Sequence, residues 1–455
     1  MITKNFIIGT ALLVVISATT LFSCKKFLDE KPVQSLQVPQ TLKDLQGLLD
    51  AYVIINRSDP SSKEVSSDDF YLSETTFAAS NEYERRLYTW QNTYVFNPGV
   101  NDWSNIYRIV FRANTVLENM NAVPVTNNNL LEWQSVKGQA SFLRGKAFFD
   151  GIQIWGPAYN ASTTNDEPGI PLRLGSDFNE PSRRAPVGQS YAQVLSDLKL
   201  AASLLPDQPL HPTRPSRPAA FALLARTYLA MRDYPNAGLY ADSALAIKAV
   251  LIDYNGIDPV PTYPIPQFNA EVLYDCYMFI PAVLINSSAI IVPQLYSSYE
   301  EHDLRKLLFF RANMDGSVSF RGSYEKSVQL FTGLATDELY LTRAECSARS
   351  GNLSEAKDDL NTLLRKRYKA GFYIDLGINT QTELLNRILL ERRKELLMRG
   401  TRWMDIKRLN QEGRNIVLKR SGGGINYELI PNAKRYAIPL PEDLVQLSGL
   451  PQNNY

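Results

Sequence analysis

Between Trp103 and Leu117, apolar side chains fall at Trp103, Ile106, Tyr107, Val110, Phe111 and Leu117. Steps of three and four residues place them on one stripe of a helix, and Asn101 or Asp102 stands where an N-cap belongs. A second helical pattern runs from about Leu130 to Trp155 and stops at Gly156-Pro157, since proline biases the residue before it away from helix. Other stretches carry no helical period. Residues 156 to 188 and 206 to 218 are rich in Pro and Gly, and Ile252 to Pro293 holds prolines at 259, 261, 264, 266, 281 and 293, so all three read as loops. Near the end, Gly422-Gly423-Gly424 leads into Asn426–Ile430 and then Arg435–Pro439, which predicts a short strand pair with a terminal loop.

Two later segments repeat one another. Ala225, Tyr228, Tyr234, Ala237, Ala241 and Ala244, shifted by 119 residues, land on Ala344, Ser347, Leu353, Ala356, Leu360 and Leu363. These are the positions a tetratricopeptide-type helix hairpin uses. Two helices cross closely only where side chains are short, so Ala225 over Ala237 sets the predicted angle. Turns are expected at Asp233-Tyr234-Pro235-Asn236 and at Ser350-Gly351-Asn352. Helix pairs of this kind are scaffolds and say nothing about chemistry.

With 455 residues, 44% hydrophobic and 21% charged, the chain has an ordinary globular composition. Its 48 basic and 47 acidic side chains nearly cancel, which removes the basic excess that nucleic-acid binding needs. The N-terminus reads as a secretory leader: Lys4 supplies the positive end and Phe6 to Ile16 the apolar stretch, too short for a permanent span. It closes on Leu21-Phe22-Ser23-Cys24, which resembles a bacterial lipoprotein box. Cys24 is then the lipid attachment point, and Cys276 and Cys346 are too few for a disulfide framework.

Catalysis finds little support. His211 and His302 are the only histidines, and no HExxH, CxxC, GxSxG or phosphate-loop motif occurs. Asp68-Asp69 and Asp358-Asp359 are adjacent acids of a kind common on loops and helix faces. The basic run between Thr382 and Arg420 is read as a structural ion-pair network: Arg392 lies on the stripe of Leu385, Ile388, Leu389 and Leu396. Glu391 with Glu395, and Arg402 with Asp405, supply charges at helical spacing. Trp403 is expected to pack beneath it.

Ligand binding fits the composition better. Eight aromatics lie between Asp68 and Phe96, namely Phe70, Tyr71, Phe77, Tyr83, Tyr88, Trp90, Tyr94 and Phe96. A sugar ring has an apolar C–H face and a polar rim, so an aromatic plate beside Arg, Asn or Asp suits it. A second aromatic group, which includes Tyr254, Tyr263, Tyr274, Tyr277, Tyr296 and Tyr299, sits among prolines. The candidate ligand residues are Trp90, Tyr71, Tyr88, Tyr94, Arg85, Asp69, Tyr274 and Tyr296. No catalytic residue, metal site or cofactor is expected.

Five stretches follow one another along the chain: Cys24-Lys25-Lys26-Phe27-Leu28-Asp29, Trp103-Ser104-Asn105-Ile106-Tyr107 with Ala113-Asn114, Gly138–Arg144 with Ala147–Asp150, Glu391–Arg408, and Ile438-Pro439 with Pro451–Tyr455. Together they resemble the SusD/RagB nutrient-uptake lipoproteins of the Bacteroidetes outer membrane. After Trp155 the sequence departs from the family pattern: Gly156-Pro157-Ala158-Tyr159 replaces an apolar continuation, and Asn160 to Glu167 is polar.

The resemblance implies a mainly α fold, in which tetratricopeptide-like helix pairs form a superhelical scaffold packed against a loop-rich part with a few short strands. Residues 1–23 are then a signal peptide, 24–40 a lipid-anchored tether, and 41–455 one domain. Its scaffold covers about 101–155, 188–250 and 336–412, and its loop-rich part about 58–100, 251–335 and 413–455. The implied function is capture of an oligosaccharide or peptide at the cell surface and delivery to a SusC-like TonB-dependent outer-membrane transporter, without catalysis. The membrane is met only through the lipid, and nucleic acid is not a partner. The alternative is a helical scaffold that organises a surface complex and recognises no small ligand.

Overall fold

A computed structural model describes residues 39–455, of which Leu42–Tyr455 form a compact unit. Cys24, the leader and most of the tether lie outside the described residues. Among the described residues ten helices have eight or more residues: α1 Leu42–Leu49, α2 Asp102–Asn119, α3 Leu130–Trp155, α4 Val187–Leu204, α5 Arg217–Met231, α6 Tyr234–Ile247, α7 Thr336–Arg349, α8 Leu353–Arg365, α9 Gln381–Glu395 and α10 Arg402–Asn410. The fold is mainly α, as expected.

Helix α2 starts where its capping chemistry directs. Asn101 Oδ1 accepts from the Trp103 and Ser104 amides at 3.0 and 3.2 Å, and Ser104 Oγ accepts from the Asn101 amide at 2.9 Å. α3 packs between α2 and α4. Two glycines one heptad apart let α4 approach: a Cβ at Gly138 would stand 2.9 Å from Leu205 Cγ, and one at Gly145 would stand 3.0 Å from Leu198 Cδ2.

The helix pairs α5/α6 and α7/α8 are the predicted hairpins, with Ala225, Ala237, Ala344 and Ala356 all buried. The first turn is shorter than expected. Tyr234 and Pro235 already belong to α6, where proline costs nothing because first-turn amides have no intrahelical partner. Arg232, at φ 62°, makes the turn, and Asp233 caps α6 through Asn236 N at 3.2 Å.

The described residues contain ten short strands, all but β2 and β3 in the loop-rich part: β1 Phe70–Tyr71, β2 Pro168–Pro171, β3 Arg184–Pro186, β4 Val272–Tyr274, β5 Ile290–Ile291, β6 Phe310–Ala312, β7 Val318–Phe320, β8 Leu334–Ala335, β9 Leu418–Gly422 and β10 Ile425–Leu429. One sheet has the order β1-β5-β7-β6, and β2/β3, β4/β8 and β9/β10 are separate antiparallel pairs. The C-terminal strand pair differs from expectation. Its partner strand precedes the glycines, which form the two-residue turn at Gly423 (φ 63°) and Gly424 (φ 73°); Arg435 sits in a 3-10 turn.

The arginine-rich helices do build a buried ion-pair network, but most partners come from far along the chain. Arg305 reaches Asp303, Glu391 and Glu395 at 2.7, 2.5 and 2.9 Å, and Arg367 reaches Glu271 and Glu395 at 2.7 Å each. Arg392 pairs with Asp405 at 2.9 Å and Arg408 with Glu345 at 2.6 Å. Arg402 turns away from Asp405 to Asp68, at 2.7 Å. Trp403 is buried beneath the network against Tyr436.

Candidate functional site

A cleft of about 710 Å³ opens where the start of α2 meets the loop-rich part. Its lining residues are drawn from four separated stretches, within Val53–Val65, Tyr83–Arg108 and Tyr277–Pro281 and at Gln329. Val65, Leu87, Val95 and Phe96 are buried and form an apolar floor. The rim carries Phe279 and Val53, each 64% exposed, and Val100 at 74%.

Polar contacts hold these segments in place. Lys63 reaches Asp150 of α3 at 2.5 Å, and Lys146, one turn earlier on α3, reaches both Asp150 and Asp59 at 2.9 and 2.6 Å. Burial alone would raise the Asp150 carboxyl, but Lys146 and Lys63 hold it well below its ordinary value. The Tyr277 amide donates to Asn56 O at 2.8 Å and the Phe279 amide to Asp59 O at 3.1 Å, so the Tyr277–Pro281 segment runs beside the Asn56–Asp59 turn.

The side chains facing the cleft mix rings, amides and charges. Asn101, Asn105 and Arg108 share one face of α2 by their four- and three-residue spacing. The Arg57 guanidinium lies 5.4 Å from the Tyr277 ring centroid and 5.8 Å from that of Tyr52. Both acids are raised by burial. Asp102 accepts the Ser62 amide at 2.9 Å, and Glu84 Oε1 accepts the Ala282 amide at 3.0 Å, while Glu84 Oε2 is buried without a partner. No group of three or more His, Cys, Asp or Glu able to hold a metal occurs among the described residues.

None of the eight ligand candidates read from the sequence lines this cleft. Four are buried. The Tyr88 ring lies under the Arg420 guanidinium at 3.8 Å, its hydroxyl accepting the Leu72 amide at 3.0 Å. Trp90, 6% exposed, donates from Nε1 to Ser66 O at 3.0 Å and flanks the same guanidinium at 5.1 Å. Asp69 accepts from Arg393 at 2.9 Å, and Tyr274 packs edge-on to Phe142.

The other four lie elsewhere. Tyr71 is half-buried on β1 opposite Ile290, Arg85 donates to Ala78 O at 3.1 Å, and Tyr296 is half-buried between Phe310 and Lys306. Tyr94 is exposed, with the Arg86 guanidinium 5.8 Å from its ring.

The physical reason for the misplacement is Arg420. It is buried, donates to the carbonyls of Val65, Tyr88 and Ser67, and among the described residues forms no salt bridge, so Phe70, Tyr88 and Trp90 box it with π faces. Burial lowers its pKa to about 10. The aromatic stretch nonetheless supplies Tyr83, Glu84, Phe96 and Asn97 to the cleft, and Tyr277 of the second aromatic group also lines it. Phe279, Arg57 and Arg108 are not among the sequence candidates: Phe279 and Arg57 lie in segments without a motif, and Arg108 follows the Trp103–Tyr107 stretch on the exposed side of α2.

Two family models match the chain. One, described as starch-binding and associating with the outer membrane, matches residues 26–229, and the other, described as the SusD family, matches residues 336–447. Together they cover more than half of the chain. The chain belongs to the SusD/RagB family. A SusD-like protein of Formosa agariphila, P38, is 22% identical over 89% of this chain and 92% of its own. Among solved structures, a SusD superfamily protein from Bacteroides thetaiotaomicron superposes on this SusD-family chain with a TM-score of 0.75. It is 20% identical over 91% of this chain and all of the other. A SusD-like carbohydrate-binding protein from Bacteroides vulgatus has a TM-score of 0.66 and is 20% identical, over 90% of this chain and 97% of its own. At these identities the structural likeness is one of fold.

Proposed function

We propose that this SusD-family chain is a non-catalytic surface lipoprotein that captures an oligosaccharide in the cleft and passes it to a SusC-like TonB-dependent transporter. The observation that carries the reading is the pairing of rings and amides in one open site. Phe279 and Tyr83 offer faces for a sugar's C–H surface, and the side-chain amides of Asn97 and Gln329 offer donors and acceptors for its hydroxyls. The carbohydrate-binding relative from Bacteroides vulgatus supports it. The outer-membrane location rests on the family, and the anchor on Cys24, with no helix among the described residues long and apolar enough to cross a membrane. Catalysis is not part of the proposal, since the sequence carries none of the catalytic motifs HExxH, CxxC, GxSxG or a phosphate loop.

The test is calorimetric titration of the purified chain against a panel of oligosaccharides, repeated with Phe279→Ala. At least one oligosaccharide binds and the substitution weakens it about tenfold or more, the loss of one buried stacking face, with the melting temperature unchanged. Binding that ignores Phe279→Ala removes the cleft as the site, and a panel that gives no heat favours the scaffold alternative. Release of reducing ends would overturn the non-catalytic reading.

A further inference from the structure

The charged groups of the cleft are unequal. Its two acids are turned inward, each accepting a backbone amide, and burial raises both toward their neutral forms. Its two arginines are exposed, and among the described residues neither takes part in a salt bridge. Arg57 is held by the Tyr52 and Tyr277 rings, and the carboxyl whose charge it feels, Glu325, is pushed up to about 9 by burial beside Asp275. Among the described residues Arg108 reaches Asn105 Oδ1 at 3.5 Å and shares its surroundings with another cation, Arg112. Arg57 and Arg108 differ from other arginines without a salt bridge, such as the buried Arg420, in that both are exposed and line one cleft whose acids are turned inward, which leaves their charge to an external anion.

We infer that the cleft selects an anionic oligosaccharide, one bearing carboxylate or sulfate groups, with Arg57 and Arg108 as the side chains that recognise the charge. The planar guanidinium fork matches both groups with two parallel hydrogen bonds, which a neutral hydroxyl cannot do. Arg57 is already oriented by its two rings, so less side-chain freedom is lost on binding. Phe279 and Tyr83, which line the same cleft, take the sugar faces. This inference rests on the glycan-binding reading and narrows it.

The test uses three sets of probes of four to eight sugars: uronate oligomers (polygalacturonate, alginate), sulfated oligomers (carrageenan) and neutral ones (amylose, laminarin). Each is titrated against the chain and against Arg57→Gln/Arg108→Gln. The tightest probe is a uronate or a sulfated oligomer, which tells the two anion sources apart. Its affinity falls at least about tenfold in the double variant and again when its carboxylates are reduced or its sulfates removed, the size expected of one charge-assisted hydrogen bond. Raising salt weakens wild-type binding and not the residual binding of the variant. A neutral oligomer that binds most tightly, with equal affinity for both proteins, overturns the inference while leaving glycan capture standing. No binding by any sugar overturns both.

Discussion

Arg305 offers a direct measure of how much the buried charge network contributes to the scaffold. Its guanidinium is fully buried and contacts three carboxylates, those of Asp303, Glu391 and Glu395, all equally buried. Arg305→Met keeps most of the volume and removes the charge. Lys394 still reaches Asp303 and Glu391 at 3.0 and 2.9 Å, and Arg367 still reaches Glu395 at 2.7 Å, so the carboxylates keep part of their compensation. Removing one member of a buried ionic group costs about 3–5 kcal/mol. Unfolding entropy of about 2.1 cal/mol/K per residue over the roughly 414 residues of Leu42–Tyr455 converts that loss to a fall of about 3–6 °C in melting temperature. The control is Arg365→Met, which breaks a direct contact with Asp375 between side chains 53% and 52% exposed. Water already solvates that pair, so a shift below about 1 °C is expected. Thermal melts at pH 7 decide the matter. Equal shifts for the two variants, or a change below 1 °C for Arg305→Met, would refute the assignment of stability to burial of the network.

Two further outcomes follow from the same physics. Trp90→Phe leaves the Ser66 carbonyl without its donor and weakens the box around Arg420, so stability falls by about 1–3 kcal/mol while glycan affinity in titration stays within twofold. A loss of affinity without a loss of stability would restore Trp90 as a ligand residue. Glu325, pushed up from 4.5 to about 9 by burial and by Asp275, holds its proton in the folded state across a range where the unfolded chain has released it. The folded state then binds more protons, and stability falls as pH rises from 4.5 toward 9. Glu325→Gln, a permanent copy of the neutral form, raises the melting temperature by a few degrees at pH 8.5 and leaves it unchanged at pH 4.5; an effect equal at both values would dismiss the titration.

How far the sequence could be read depended on whether the relevant neighbours were local. The helix start at Asn101, the stop at Gly156 and the alanine positions of the two hairpins depend on residues within one or two turns, and each signal is readable there. The C-terminal hairpin was harder because β9, Leu418–Gly422, hides its inward face: Leu418 and Gly422 give a weak alternation, and the middle inward residue is Arg420. That same arginine explains the aromatic stretch. A buried guanidinium without a carboxylate and a sugar ring both call for π faces beside polar atoms, so composition alone cannot say which of the two an aromatic-rich segment serves. The cleft compounds the difficulty, since its four segments are brought together by contacts such as Lys63 to Asp150 and Phe279 N to Asp59 O. Local richness in Tyr and Trp therefore finds the neighbourhood, as Tyr83, Phe96 and Asn97 attest, but a charge inserted from a distant hairpin decides which rings turn inward.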